Sequence, residues 1–198
     1  EAHERSLSTD ILLGLAKKWV KQYPTLRVVI MSATLEPQVF ERFYGKARTS
    51  FIDIPGRLFP VEVKYCPPPG DGKVSEKDVF KITMDKMWEL LCHSKTQVDC
   101  ILAFLTGQDE VDRACKELQS RVSADKSKQH VRVFGLHGNT DPADQQAALN
   151  PIEPGLRKAI FCTNIAETSI TIDGVRHVID AGLCKATEYD PVRNLSTL

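Results

Sequence analysis

Apolar residues along the chain follow two patterns, one with helical spacing and one of short continuous runs. Where they recur every three or four positions, they predict amphipathic helices that turn one face to a core. These helices are predicted over 7–20, 38–44, 75–92, 111–122 and 141–149. Continuous runs rich in β-branched residues are typical of parallel strands covered on both faces. Such strands are predicted over 26–31, 51–54, 61–65, 100–105, 131–136, 158–161 and 175–180.

The predicted strands and helices alternate along the chain, and this order specifies a parallel sheet with right-handed crossovers. Length does not decide the number of domains, because 198 residues can form one large domain or parts of two. The segment 55–60 contains Pro55, Gly56 and Pro60, which break regular structure, so a domain boundary is expected near residue 60. The sequence therefore predicts an α/β protein divided into residues 1–60 and 61–198.

The stretch 161–174 ends an apolar run with a dense cluster of hydroxyl, amide and carboxylate side chains. In open α/β sheets, ligands bind in the crevice beyond the carboxyl ends of the strands. A polar loop that follows a buried strand is therefore expected to line a ligand site. The same residue types also suit a helix N-terminus, where Ser, Thr and Asn cap the backbone without any ligand. From this stretch alone, both interpretations stay open.

The charges of the chain balance, with 26 Lys and Arg against 26 Asp and Glu. This balance gives no global basic field of the kind that holds nucleic acid by charge alone. Any contact with nucleic acid is therefore expected to be local, through loops and backbone amides. Lys17, Lys18 and Lys21 cluster on one face of the first predicted helix, and a solvated face is favoured there over a nucleic-acid patch.

The six cysteines form no C-x-x-C pair and several lie in apolar runs, so reduced thiols in an intracellular protein are expected. Cys92 and His93 are adjacent but lack further ligands, and a metal cluster is rejected. No apolar run approaches the ~20 residues that span a bilayer, so no membrane partner is expected. Because the first residues are charged, the chain is expected to begin within a domain. Nucleus and cytoplasm are not distinguishable.

Four short motifs occur in a fixed order along the chain. Glu1-Ala2-His3-Glu4-Arg5 resembles the end of the D-E-A-H-E-R signature, cut one residue late, and Ser32-Ala33-Thr34 resembles motif III. Phe104-Leu105-Thr106-Gly107-Gln108 resembles motif IV, and 161–174 resembles motif V. Together they resemble the DEAH-box ATP-dependent RNA helicases of superfamily 2. The resemblance implies the end of one RecA-like domain and most of a second, each a parallel sheet flanked by helices.

The resemblance implies ATP and Mg²⁺ as cofactors of the complete protein. Glu1 would orient or deprotonate the attacking water and would reach Mg²⁺ through water. His3 would link this carboxylate to motif III, where the hydroxyls of Ser32 and Thr34 suit a relay that couples hydrolysis to movement. The alternative for these two hydroxyls is simple capping of a strand end.

The resemblance also divides motif V between two ligands. The nucleotide side would comprise Ser169, Thr171 and Asp173. Leu149 falls at the position where the family commonly has an aromatic residue against the adenine, so base stacking there is in doubt. The residues implied on the RNA side, through backbone phosphates and close main-chain approach, are Thr106, Gly107, Gly138, Asn139, Thr163 and Asn164. For Asn139, a turn residue that tolerates the left-handed conformation is an alternative.

The implied function is an ATP-dependent RNA helicase that moves on single-stranded RNA, or on a duplex with a single-stranded tail, in RNA processing. The pathway and any protein activator stay open. The chain begins after the phosphate loop and ends before motif VI, so on its own it is expected not to hydrolyse ATP. Two alternatives are a catalytically silent binding module on the same fold and a DNA translocase of the same superfamily.

Overall fold

The structure, a computed structural model, describes residue 2, residues 5–32, 37–56, 59–66, 75–93, 99–164, 171–183 and 185, and the backbone of two short strands near the end of the chain. The chain divides into two compact units, residues 1–64 and 65–198. The domain boundary near residue 60, inferred from Pro55, Gly56 and Pro60, stays a prediction. Each unit is described separately below.

In the described part of residues 1–64 there are two α-helices, α1 (Leu7–Gln22) and α2 (Pro37–Tyr44), and a 3₁₀ turn at Lys46–Arg48 follows them. Ser6 caps α1, since its hydroxyl accepts from the Thr9 amide at 3.2 Å. The Tyr44 hydroxyl donates to the Leu13 carbonyl at 2.8 Å and joins α2 to α1. Both helices were expected from their apolar spacing, and both are confirmed.

The predicted strands at 26–31, 51–54 and 61–65 are wrong, since none of the three segments forms a strand. A strand needs a neighbouring strand with which it shares a ladder of backbone hydrogen bonds, and the described part of residues 1–64 contains no strand. The bond from the Ala2 amide to the Met31 carbonyl, at 3.1 Å, does not make a ladder. Val29 is 80% exposed and Val61 is 83% exposed, so neither run packs into a core here. The β-branched pattern shows which residues suit a sheet, but it does not provide the partner strand.

Residues 65–198 hold alternating helices and strands: α3 (Glu76–His93), β1 (Cys100–Phe104), α4 (Gln108–Ala124), β2 (Val131–Leu136), α5 (Pro142–Leu149), β3 (Arg157–Cys162) and β4 (Val175–Ile179). A 3₁₀ turn, Lys126–Lys128, follows α4. Among the described residues, the four strands form one parallel sheet in the order β2-β3-β1-β4. Two short strands, β5 (Glu188–Asp190) and β6 (Leu195–Thr197), pair antiparallel. The predicted parallel sheet with flanking helices is confirmed.

The sheet carries a hydrophobic core on each of its two faces. Ile101 and Ala103 of β1 pack on one side with α3 and α4, while Cys100 and Leu102 pack on the other with residues of β2, β3 and α5. Alternate residues of a strand point to opposite faces, so a strand covered on both sides must be apolar at every position. This explains the continuous apolar run at 100–105.

The buried face of α3 differs from the one expected. Thr83, Met87 and Leu91 are buried as predicted, but Phe80 and Met84 are also buried, while Val79 and Leu90 are only partly so. The helix thus turns a slightly rotated face to the sheet. Its start was predicted correctly as a capping box. The Asp78 amide donates to the Ser75 hydroxyl at 3.3 Å, and the Ser75 amide donates to Asp78 Oδ2 at 3.1 Å.

Charged side chains are buried at the amino ends of the strands. Arg157 donates to both carboxylate oxygens of Asp99 and to the Leu91 carbonyl at the end of α3. The Lys158 ammonium donates to the Ala148 carbonyl at 2.8 Å and also to the Asn150 carbonyl, so it caps the end of α5. These charges satisfy carbonyls that the two helices leave without partners.

Candidate functional site

The carboxyl ends of three neighbouring strands lie at one level. Phe104 of β1 and Leu136 of β2 both pair with Cys162 of β3. The ladder continues for one more bond on each side, since Leu105 N donates to Cys162 O at 2.8 Å and Thr163 N donates to Leu136 O at 3.0 Å. The loops that follow the three strands therefore start side by side along the same edge of the sheet.

This edge brings together the six residues expected on the RNA side. Thr163 and Asn164 follow the middle strand, β3, and are flanked by the loops 105–107 after β1 and 137–140 after β2. Thr163 is partly buried, and Asn164 is exposed. Residues that lie far apart in sequence thus share one surface, although their role toward RNA stays a prediction.

Thr106 is held by a carboxylate from the first turn of α4. Its amide donates to Glu110 Oε2 at 3.0 Å, and its hydroxyl donates to the same oxygen at 2.7 Å. Glu110 thereby satisfies a backbone donor just before the helix start, where the N-cap residue, Gly107, has no side chain to do so. Both donors of Thr106 are engaged within the protein, so its hydroxyl oxygen and its carbonyl face a ligand only as acceptors.

The loop after β2 is shaped by His137. The Asn139 amide donates to His137 Nδ1 at 3.2 Å, so Nδ1 must carry the lone pair and Nε2 the hydrogen. His137 Nε2 lies 3.3 Å from Asp112 Oδ1 of α4, in position to donate to it. The His137 amide also donates to the Thr140 hydroxyl at 2.8 Å. One imidazole thus joins its own loop to the neighbouring helix.

Asn139 joins the loop after β2 to the first residue of α4. Its side-chain Nδ2 donates to Gln108 Oε1 at 2.8 Å, although the residues are far apart in sequence. Asn139 lies in a turn, as the alternative view expected, but its backbone is not left-handed, because Arg5 is the only non-glycine residue with positive φ in the described part of the chain. Asn139 is used here for its amide group and not for its backbone tolerance.

The glycines of this edge differ in what surrounds them. A Cβ at Gly138 would meet nothing within 4 Å, so the space before this main chain is open. A Cβ at Gly107 would lie 3.0 Å from Lys185 Nζ, which places the ammonium of Lys185 over this glycine. Lys185 was not expected from the sequence, because a single lysine beyond β4 carries no motif. It adds positive charge where the loops leave the sheet.

A third glycine, Gly135, also escaped the sequence analysis. A Cβ there would meet Val111 Cγ1 at 3.0 Å and Cys115 Sγ at 3.1 Å. Glycine therefore lets α4 pack close against β2, and this close packing brings Asp112 within reach of His137.

Of the residues expected on the nucleotide side, the three that the structure describes, Leu149, Thr171 and Asp173, do not share this edge. Thr171 and Asp173 precede β4, whose first residue, Val175, pairs with Cys100 at the amino end of β1. Leu149 ends α5, whose last carbonyls are capped by Lys158 at the amino end of β3. The expectation that the whole polar stretch lies beyond the carboxyl ends is therefore wrong for its second part. Parallel strands must all begin at the same edge, so the chain returns to that edge before β4.

The described side chains on the nucleotide side differ in their exposure to solvent. Thr171 and Asp173 are exposed, and Leu149 is partly buried. Burial lowers the pKa of Lys158, while the nearby Cys100 thiol and Asp173 carboxylate act in the opposite direction. An exposed carboxylate can accept hydrogen bonds from the hydroxyls of a nucleotide, and an exposed hydroxyl can bond either its hydroxyls or its phosphates.

The thiols beneath the site are inert. Burial raises the pKa of Cys100 and of Cys162 to about 12, so both stay protonated at neutral pH. The Cys162 thiol donates to the Ala103 carbonyl at 3.6 Å. Cys66 and Cys92 are exposed, and all five cysteines in the described residues are free thiols.

Several predicted site residues lie outside the described residues: the catalytic Glu1 and His3, the coupling residue Thr34 and the nucleotide-side residue Ser169. Ser32 is described and is partly buried. Within the described residues, no cluster of three or more His, Cys, Asp or Glu side chains could hold a metal ion. The helices that the structure describes include none with the length and apolar character needed to cross a membrane.

Comparison with known proteins agrees with this architecture. Residues 83–195 match the family model of the helicase conserved C-terminal domain. The chain is 36% identical over 215 aligned residues to the probable ATP-dependent RNA helicase DHX40 of Homo sapiens and to its counterpart in Pongo abelii. Each alignment covers 100% of this chain and 27% of the relative. The chain thus spans about a quarter of these relatives.

Solved structures give the same result. The chain resembles the Escherichia coli DExH-box NTPase HrpB with a TM-score of 0.77 and 32% identity, covering 98% of this chain and 22% of that one. A second structure, of the E. coli DEAH/RHA helicase HrpB, gives a TM-score of 0.79 and 33% identity, covering 99% and 23%. The predicted RecA-like fold is confirmed.

Proposed function

The chain belongs to the DEAH-box helicases, and on that premise we propose that it is part of an ATP-dependent RNA helicase. The complete protein would couple ATP hydrolysis to movement along single-stranded RNA and so unwind or remodel RNA or ribonucleoprotein. Its substrate would be single-stranded RNA or a duplex with a single-stranded tail. The chain alone, without the phosphate loop and motif VI, would not turn over ATP.

The shared edge of the three loops is the observation that carries this proposal. It sets Thr163 and Asn164 between two loops that contain glycine, with the Lys185 ammonium over Gly107. Short hydroxyl and amide donors, together with a lysine, suit phosphate oxygens and carry no information about base sequence. A surface of this kind would grip any RNA sequence, as a motor that moves along RNA requires.

Thr106 would contribute differently from the neighbouring threonine. Because Glu110 engages its amide and hydroxyl hydrogens, Thr106 would shape the loop and accept hydrogen bonds, for example from a ribose 2′-hydroxyl. Thr163 would donate to phosphate. Thr106 would thus mainly position its loop, whereas Thr163 would contact the RNA backbone directly.

ATP and Mg²⁺ are proposed cofactors of the complete protein. When bound, Mg²⁺ neutralises phosphate charge that develops during transfer. Glu1 would aim or deprotonate water, and His3, Ser32 and Thr34 would pass the state of the nucleotide to the RNA side. On this unit, Thr171 and Ser169 would contact nucleotide hydroxyls or phosphates. Asp173 would accept from nucleotide hydroxyls, and Leu149 would lie over the adenine.

The proposal is tested by the ATPase rate of the complete protein with single-stranded RNA, with DNA of the same sequence and without nucleic acid. We expect RNA to stimulate turnover and DNA to stimulate it much less. Equal or greater stimulation by DNA would favour a DNA translocase. No detectable turnover under any of the three conditions would favour a catalytically silent binding module on the same fold.

A further inference from the structure

Three side chains from the start of α4 contact the two loops that flank Thr163. Gln108 accepts from Asn139 at 2.8 Å, and Glu110 accepts twice from Thr106. Asp112 lies 3.3 Å from His137 Nε2. The loop before the helix and the loop after β2 are therefore both fastened to one short stretch of α4.

We propose that Gln108, Glu110 and Asp112 are positioning residues that lock loops 105–107 and 137–140 into one rigid RNA-gripping unit. This inference rests on the proposed function and extends it from residues that touch RNA to residues that hold those residues in place. We call Gln108, Glu110 and Asp112 the clamp. None of them needs to contact RNA.

The geometry favours positioning over direct contact because two members of the clamp are acids. A carboxylate repels phosphate, so Glu110 and Asp112 near an RNA backbone weaken affinity by charge alone. Both carboxylates instead face donors from the loops: the amide and hydroxyl of Thr106 and the Nε2 of His137. Their contribution to binding must then come from holding the loops in a single geometry.

The contacts of Asp112 and Gln108 with the loop after β2 are linked through His137 and Asn139. The hydrogen bonds of His137 require the neutral ring with hydrogen on Nε2, and that form accepts from the Asn139 amide on its other nitrogen. The side chain of Asn139 then reaches Gln108. Asp112, His137, Asn139 and Gln108 thus close a ring that begins and ends on α4.

The test compares variants of the complete helicase by their Kd for a mixed-sequence single-stranded RNA at one fixed salt concentration. Glu110→Ala and Asp112→Ala remove the acceptors, and we expect each to raise Kd roughly three- to ten-fold. Glu110→Gln and Asp112→Asn keep an acceptor oxygen, so we expect them to recover most of the affinity. If charge alone mattered, all four variants would bind RNA more tightly than wild type, because each removes a negative charge.

Asp109→Ala is the matched control. Asp109 lies on the same turn of α4, is exposed and carries the same charge, but its side chain forms no hydrogen bond or ion pair with the described residues of either loop. We expect Asp109→Ala to leave Kd within two-fold or to tighten binding slightly. In RNA-stimulated ATP hydrolysis, Glu110→Ala and Asp112→Ala should raise the RNA concentration for half-maximal rate, while the rate at saturating RNA stays near wild type.

The clamp is overturned if both alanine variants bind RNA like wild type, or if Asp109→Ala weakens binding as much as they do. It is also overturned if the Gln and Asn variants lose as much affinity as the alanine variants. Should Glu110→Ala fail to fold, Asp112→Ala alone decides, since the Asp112 side chain is about half exposed. A wild-type protein that binds no RNA would instead refute the proposed function.

Nuclear magnetic resonance provides a readout without RNA. At alkaline pH, where imidazole is neutral, ¹⁵N shifts of His137 should report hydrogen on Nε2 and a bare Nδ1. Asp112→Ala should reduce this preference, and Asp109→Ala should not. Hydrogen on Nδ1 in the wild-type chain would contradict the contacts on which the clamp depends.

Discussion

Arg157 and Asp99 form a buried two-point ion pair, with Arg157 Nε and Nη2 at 2.5 and 3.1 Å from the two carboxylate oxygens. Arg157 is 2% exposed and Asp99 is fully buried. The guanidinium also donates to the Leu90 and Leu91 carbonyls, so one side chain ties β3 to the residue before β1 and to the end of α3. His177 Nε2 lies 3.7 Å from Asp99 Oδ2 on the exposed side of the pair.

Removing Arg157 should therefore strongly destabilise the unit formed by residues 65–198. Arg157→Met leaves Asp99 buried without its main partner, and breaking such a pair costs about 3–5 kcal/mol. Denaturant unfolding of the chain measures this loss. Arg132→Met is the control, because Arg132 is exposed on β2 and bonds only nearby carbonyls, so its loss should cost no more than about 0.5 kcal/mol. Equal costs for the two variants would show that the pair is not a major source of stability.

Thr163→Ala should weaken the binding of single-stranded RNA by the complete helicase roughly three- to ten-fold, through loss of one hydroxyl donor. The loss should be about the same for every RNA sequence, because phosphate contacts do not read bases. Thr163→Ser keeps the hydroxyl and should bind nearly like wild type. Titrations with several RNA sequences test both points, and a loss confined to one sequence would argue against a phosphate contact.

The buried cysteines predict a loss of stability at alkaline pH. Burial raises the pKa of Cys100, Cys115 and Cys162 from the ordinary value of 9.0 to about 12. Between these values the unfolded chain releases protons that the folded chain retains, so stability is full below about pH 9 and falls as pH rises toward about 12. Replacing Cys100 and Cys162 with Ala should flatten this fall, as measured by unfolding at a series of pH values. An unchanged slope would contradict the shifted pKa values.

Leu149→Phe tests whether this side chain contacts the adenine. If it does, an aromatic ring should lower KM for ATP by a few-fold with little change in kcat, since stacking of a base on an aromatic side chain is worth ~1–3 kcal/mol. Leu149 is partly buried at the end of α5, beside the carbonyls that Lys158 caps. Overpacking would instead cost ~1–3 kcal/mol of stability. A lower melting temperature with an unchanged or higher KM would refute the adenine contact.

The second unit could be predicted from the sequence because its signals are local. Continuous apolar runs at 131–136 and 158–161 are paired within the chain, and the box of Ser75 with Asp78 lies at the start of α3. The runs at 26–31 and 51–54 have the same character, yet no strand forms there. The residue types of a segment show whether it suits a β-sheet. Whether a strand forms also depends on a neighbouring strand to hydrogen-bond with, and the pattern of apolar residues does not show whether that neighbour is present.

The site was predicted only in part for a related reason. Motifs identified Thr163, Asn139 and Gly107, but the residues that hold them, Glu110 and Asp112, look in sequence like the solvated face of a helix. Lys185 likewise gains meaning only from its position over Gly107. Thr163 and Asp173 lie at opposite edges of the sheet, because parallel strands must start at a common edge and the chain has to return to that edge before β4. The sequence motif, taken as one continuous loop, does not show this return.

Our central proposal is that this chain is part of a motor that uses ATP to move along RNA. The most direct measurement is ATP turnover with saturating single-stranded RNA by the complete helicase and its Glu1→Gln variant, with RNA affinity measured on the same samples. We predict that wild type is stimulated by RNA, and that the variant loses roughly 10²-fold or more of its turnover while its RNA Kd stays within a few-fold. Turnover by Glu1→Gln within a few-fold of wild type would contradict the account.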